Sequence, residues 1–214
     1  MHIEVLVEDR SGARLIECLL AKIIGPQGRP HTWRLHPYKG TGRIPKGMNS
    51  KHDPAKRALL NQLPGQLAGY GKTPGIDAVV VVVDADNRDC TVFLNELKAV
   101  LATCSPATNA LFRLAIEEIE SWYLGDREAL LQAYPKAKTP VLKGYRQDSV
   151  CGTWELLADA IYPGGAKLIK RKGWPLPGQI KYEWAENIGP KMHIDNNVSL
   201  SFKKFRDGIS RLVV

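Results

Sequence analysis

The chain has 214 residues, 44% of them hydrophobic and 24% charged, with a formal net charge of +8. That is enough for one large domain, or a domain with an appendage, of ordinary globular composition. No apolar run approaches the ~20 residues of a membrane span, and the start enters an apolar strand pattern rather than a signal peptide. Cys18, Cys90, Cys104 and Cys151 form no C-x-x-C pair, and His2, His31, His36, His52 and His193 have no close metal-binding spacing. A cytoplasmic protein with reduced, unligated cysteines is the expectation.

The first predicted element is a short strand over Ile3 to Val7, ended by Glu8-Asp9-Arg10-Ser11-Gly12. Leu15, Ile16, Leu19, Leu20, Ile23 and Ile24 then form an apolar stripe at helical spacing, which Gly25-Pro26 stops. Residues 31–38 alternate as a second strand, with Pro37 marking its end or an edge position. A loop rich in glycine and positive charge follows, from Lys39 through Arg43 to Lys46 and Gly47. Asp53-Pro54 can start a helix running through Leu59, Leu60, Leu63 and Leu67, with a break expected at Pro64-Gly65.

The third strand, at 77–83, contains Val79 to Val83 and runs into Asp84-Ala85-Asp86. A β-branched run without polar alternation reads as a strand buried on both faces, as in a parallel sheet. A helix around 90–103 follows, then a fourth strand from Leu111 to Ile116, and Glu117 to Trp122 opens a helical stretch. Asp126 can cap a further turn through Leu131. Repeated strand–helix alternation predicts an α/β fold: a mainly parallel four-stranded sheet over residues 1–134, with helices on both faces. From about 135 onward Pro and Gly become frequent and short helices are expected near 152–161, 181–188 and 201–212. This part reads as a basic helical extension packed on the sheet domain.

Charge is unevenly spread along the chain. Residues 29–76 hold nine Lys/Arg against Asp53 alone, whereas residues 77–134 hold ten acids against four bases. Residues 135–214 are basic again, with fourteen Lys/Arg and seven acids. An acidic centre flanked by basic segments suits a metal site serving a polyanion, and nucleic acid is the expected partner.

Three strand ends carry acids: Glu8 and Asp9, then Asp84 and Asp86, then Glu117, Glu118 and Glu120. In a parallel sheet those ends share one edge, where ligands of open α/β sheets bind. Asp84 and Asp86 leave their strand on the same side. Taken alone, such a pair is either a solvated turn or a cation site, and a hard divalent ion is the cation that carboxylates favour. Three acidic clusters along one edge favour a shared metal site. Glu118 and Glu120 share a side if the strand continues through them, whereas on a helix the pair is Glu117 and Glu120.

Glu8 after the first strand, with Asp84-x-Asp86 after a hydrophobic third strand, resembles the TOPRIM domain of topoisomerases, primases and OLD-type nucleases. The run Arg113 to Asp126 is similar to a motif of an uncharacterised bacterial TOPRIM-like family, and Lys181 to Gly189 and Ser199 to Phe205 look like its tail. One departure is Asp9, where TOPRIM domains usually place glycine; it is a further potential ligand. The resemblance implies a nuclease dependent on Mg²⁺ or Mn²⁺, hydrolysing phosphodiester bonds of DNA or RNA. In that reading Asp84 and Asp86 hold one ion, Glu8 is a ligand or general base, and Glu118 and Glu120 hold or orient a second ion. It also implies a role in phage defence beside a separate ATPase, since no Walker motif occurs in this chain.

Lys39 and Arg43 are candidates to clamp a substrate phosphate, or are solvated loop charges. Lys170, Arg171 and Lys172, with Lys167, are candidates to grip backbone phosphates. Trp174, between Gly173 and Pro175, reads as a packing anchor with base stacking as the alternative, and Trp122 and Tyr123 read as core. Two non-enzymatic readings stand beside the nuclease. One is a receiver-like signalling domain, which shares acids after strands one and three. The other is a nucleic-acid-binding component whose acids are structural.

Overall fold

The computed structural model describes residues 1–45, 57–149 and 151–214. Four strands, β1 (His2–Val7), β2 (Thr32–Pro37), β3 (Ala78–Asp84) and β4 (Ala110–Ala115), form one sheet in the order β2-β1-β3-β4. Every pairing is parallel, with Val5 opposite Val80 and Val80 opposite Leu111. The order follows from side-chain chemistry. Central β3 is apolar on both faces, with Val79 to Val83 at most 1% exposed, and β1 is apolar apart from His2 and the buried Glu4. Arg34 and Arg113 are carried by the edge strands β2 and β4.

On one face lie α1 (Arg10–Ile24) and most of the C-terminal helices; on the other lie α2 (Leu59–Tyr70) and α3 (Cys90–Ala102). Asp9 caps α1 by accepting the Gly12 amide at 2.7 Å, and Asp89 caps α3 by accepting the Val92 amide at 2.8 Å. Gly12 is required there, because a Cβ would stand 2.9 Å from Val7 Cγ1. The helix expected to break at Pro64-Gly65 continues through both. An interior proline costs about 3 kcal/mol, whereas burying Leu59, Leu60, Leu63 and Leu67 against the sheet returns about 1.5–3 kcal/mol for each. Packing therefore overrides the local breaker. The expected start of this helix at Asp53-Pro54, and Lys46 and Gly47 of the basic loop, lie outside the described residues.

After β4 the chain is helical: α4 (Glu120–Leu124), α5 (Arg127–Ala133), α6 (Thr139–Gly144), α7 (Thr153–Ile161), α8 (Gly165–Lys172), α9 (Leu176–Ile188) and α10 (Leu200–Leu212). Asp126 caps α5 as its position predicts, accepting the Ala129 amide at 3.0 Å. Helices α6 and α8 carry no sequence signal strong enough to have been expected. α8 starts from Gly164 and Gly165, both in left-handed conformation. α9 packs along α1, and α10 packs on β4 and α1. One core cluster runs from Val5 and Leu15 through Trp122 to Trp184, Phe202 and Ile209, so the C-terminal helices share their core with the sheet. Trp122 and Tyr123 are buried in it, and the Trp122 indole donates to Ser201 Oγ at 2.9 Å. No helix among the described residues is long and apolar enough to cross a membrane.

Candidate functional site

The carboxyl ends of β1, β3 and β4 meet at one edge, and their acids converge there. Glu8 directly follows β1, Asp84 ends β3, and Glu118 and Glu120 lie just past β4. Glu8, Asp84, Ile119 and Lys181 line a cavity of about 10 Å³ together with Val7, Asp9, Gly12 and Val82. That is close to the room needed by one water molecule.

Lys181 is the residue that sequence reasoning left without a role. It comes from α9, about sixty residues beyond the acids, and its Nζ lies 3.2 Å from Glu120 Oε1 and 3.7 Å from Glu118 Oε1. Its available signal was indirect: the acid surplus of residues 77–134 needs buried counter-charge. Burial alone would lower the Lys181 pKa, but Glu120, Glu118, Asp84 and Asp9 together raise it, so the side chain is held as an ammonium.

The acids themselves are pushed toward their neutral forms. Burial is the main reason that Asp84 is raised well above the carboxylate range, with Glu8 and Glu120 adding repulsion. Burial and then Glu120 push Glu118 up to about 8. Glu120, 1% exposed, is raised by burial and held back by Lys181. Glu8 is raised by burial, with Asp86 and Asp9 adding to it, while a hydrogen bond from the Thr41 side chain pulls the other way. Two carboxylate oxygens, Glu8 Oε2 and Glu120 Oε2, are buried with no hydrogen-bond partner among the described residues. Such orphans are costly unless a proton or a cation joins them.

Several acids have other duties. Asp9 is committed to capping α1, its carboxylate also accepting the Ser11 hydroxyl at 2.8 Å and 2.9 Å. Glu117 turns away from the site. Its carboxylate accepts the Gly152 amide at 2.5 Å, the Thr153 amide at 3.0 Å and the Thr153 hydroxyl, anchoring the start of α7. Glu118 accepts the Trp154 amide at 3.2 Å with one oxygen and faces Lys181 with the other. Of the two pairings left open by the sequence, Glu118 with Glu120 is the one brought to a common partner. The reason is that β4 ends at Ala115 and α4 begins only at Glu120, with Glu117 in left-handed conformation (φ 61°) between them.

Asp86 is left-handed as well (φ 50°), and its amide donates to the Glu117 carbonyl at 2.8 Å. Two non-glycine residues in this conformation, bonded to each other across adjacent strand ends, place local strain at the site. The Asp86 side chain is half exposed and 3.5 Å from Arg88, while Asp84 Oδ1 accepts the Ile119 amide at 3.0 Å.

As they stand, no three His, Cys, Asp or Glu side chains among the described residues are set closely enough to hold a metal ion. The donor chemistry is nevertheless that of a hard cation: oxygen ligands only, orphaned carboxylate oxygens, and more acids than nearby bases. Glu8, Asp84 and Asp86 are the ones not engaged by Lys181 within 4.0 Å.

The basic candidates are dispersed. Lys39 sits at the start of the loop after β2, whose Gly40 amide donates to the Glu8 carbonyl at 3.0 Å, so this loop does rise beside the acids. The exposed Arg43 donates its amide to Asn61 at 3.1 Å. Gly42 before it must be glycine: it is left-handed, and a Cβ would stand 2.1 Å from Asn61 Oδ1. Lys170 pairs with Glu155 at 2.9 Å and lies over the Trp154 ring, while Arg171 and Lys172 are exposed at the end of α8. Trp174 is 82% exposed, so it is not the buried packing anchor expected; its ring lies beside Gly178.

Fold and site together define an α/β protein with a buried carboxylate cluster, bridged by one lysine, at the carboxyl edge of a parallel sheet. Compared with known proteins, the chain matches no family model, no curated protein and no solved structure.

Proposed function

We propose that the protein is a TOPRIM-like phosphodiesterase that hydrolyses DNA or RNA with one divalent metal ion. The observation that carries this reading is the meeting of acids from three strand ends around Lys181: Glu8 and Asp84 line the water-sized cavity with it, Glu118 and Glu120 lie against its ammonium, and one buried oxygen each of Glu8 and Glu120 has no hydrogen-bond partner among the described residues. Glu8, Asp84 and Asp86 would hold the ion. When bound, a Mg²⁺ or Mn²⁺ ion supplies Lewis-acid activation of the phosphodiester and an acidified water. One ion rather than two is favoured because Lys181 already engages Glu118 and Glu120, and its ammonium repels a second cation there.

The chain's own groups have distinct parts in this scheme. In this reading Lys181 would stabilise charge developing on the phosphoryl oxygens. As the alternative to ligating the ion, Glu8 would take a proton from an attacking water while Asp84 and Asp86 hold the ion. The exposed Trp174, close in sequence to Lys170, Arg171 and Lys172, supports nucleic acid as the substrate through base stacking and phosphate contacts. An ATPase partner and a part in phage defence belong to the same reading, resting on the family resemblance.

The test is incubation of the protein with labelled DNA and RNA panels plus Mg²⁺ or Mn²⁺, with Asp84→Asn as control. Metal-dependent cleavage lost in the variant is the expected result; equal cleavage by both proteins rules the reading out. The receiver-like alternative gains one observation, a lysine facing Asp84. Stable labelling of Asp84 by a phosphoryl donor would decide for it.

A further inference from the structure

A second cavity opens beside the acidic one, at the carboxyl end of the edge strand β2. It has a volume of about 300 Å³ and is lined by Arg10, Arg34, His36, Lys39, Arg57, Gln62 and Gln66, together with Leu35, Pro37 and Tyr38. Four of these are permanent cations, and among the described residues no carboxylate lies within 4.0 Å of any of the four. His36 is held from behind by Glu4, which also takes His2 at 3.2 Å, so the local acid is already used.

The cavity wall is built from main-chain bonds. The Lys39 amide donates to the Arg57 carbonyl at 3.1 Å, Leu59 to Gly40 at 3.0 Å, and Leu60 to Thr41 at 2.8 Å. The same loop is tied to the reacting edge by the Tyr38 amide on Val7 and the Gly40 amide on Glu8, each at 3.0 Å. Arg10, two residues past Glu8, belongs to the cavity, so the two sites share the segment between them.

A volume of this size is at the low end of ligand pockets and suits a single nucleotide rather than a helical duplex. Converging arginines bind phosphate through paired hydrogen bonds, and a phosphate monoester carries nearly two charges where an internal diester carries one. The amides of Gln62 and Gln66 add neutral donors and acceptors for a sugar or base edge.

We infer that this cavity binds the terminal phosphate monoester of a nucleic-acid strand and seats that end beside Glu8. The inference deepens the nuclease reading and rests on it for its substrate class: the enzyme acts on phosphorylated strand ends. The pocket can be measured without cleavage, using the full-length protein in EDTA. Fluorescence anisotropy would compare single-stranded octamers carrying a 5′-phosphate, a 3′-phosphate or hydroxyls at both ends. One phosphorylated end is expected to bind at least about tenfold tighter than the hydroxyl oligomer, an advantage that shrinks with salt.

Arg34→Glu and Lys39→Glu, both at exposed positions, should remove the preference, with circular dichroism verifying that they fold. Asp84→Asn should keep it. Equal affinity for all three oligomers, or an unchanged preference in both charge-reversed variants, overturns the inference. A preserved preference in a protein that cleaves nothing would overturn the nuclease reading and leave the pocket standing.

Discussion

The two cavities at the carboxyl edge of the sheet differ in volume and in charge, although Glu8 and Asp9 of one directly precede Arg10 of the other. The acidic one holds only about 10 Å³, and its carboxyls are pushed toward their neutral forms by burial and faced by Lys181. The basic one holds about 300 Å³, and among the described residues none of its four permanent cations has a carboxylate within 4.0 Å. Burial raises the electrostatic cost of every unpaired carboxylate, which favours uptake of a cation or proton. Exposure leaves side chains such as Arg34 and Lys39 hydrated and available, which suits an exchangeable anionic ligand. One edge thus separates a place for chemistry from a place for holding.

The largest effect should come from Asp84→Asn. In the proposed enzyme, metal-dependent cleavage is expected to fall at least ~10³-fold, since a positioned ion is worth several kcal/mol to the transition state. Thermal stability should be kept or raised, because the substitution removes a buried charge that the fold disfavours. Cleavage assays paired with melting curves check both halves; a variant that cleaves normally would assign the acids to structure.

Next in size is Lys181→Met. It leaves Glu118 and Glu120 buried without their cation, and a loss of about 3–5 kcal/mol in chemical denaturation is expected. Adding Glu120→Gln to the same chain should recover part of it, and the double-mutant cycle would measure the coupling. Glu117→Gln should cost about 1–2 kcal/mol by weakening the anchor of α7. Its effect on cleavage is expected to be the smaller, since Glu117 faces α7 and not the cavity.

The remaining expected effect is a pH slope. Glu118 ionises near 4.5 in an unfolded chain and near 8 in the fold. Across that window the folded state keeps a proton that the unfolded state has released. The contribution of Glu118 to stability is therefore fully present below pH 4.5 and is lost as pH rises toward 8. Glu8, Asp84 and Glu120 are shifted in the same direction. The Tm measured in EDTA should drop across this range, and less so in Glu118→Gln.

Much of this edge was readable in the residue pattern. A valine run without polar alternation identifies a strand buried on both faces, and the acids that follow it must then lie at the carboxyl edge. The same logic placed Glu8 and the glutamates after β4. It failed where a side chain's partner is remote. Asp9 resembled a ligand but caps its own helix, and Glu117 resembled its neighbours but anchors α7. Trp174 had the flanks of a packing anchor yet stays 82% exposed. Pro64 marked a helix end that burial of four leucines overrode.

The sequence by itself determined the parallel α/β sheet, its buried centre and the strand ends that carry the acids. These follow from period, β-branching and the fixed alternation of side chains along a strand. Tertiary structure alone decided that Lys181 bridges the glutamates and that Arg10, Arg34, Lys39 and Arg57 surround one cavity. Those meetings join residues far apart in the chain, and only the packing of α9 on α1 and of the β2 loop on α2 brings them together.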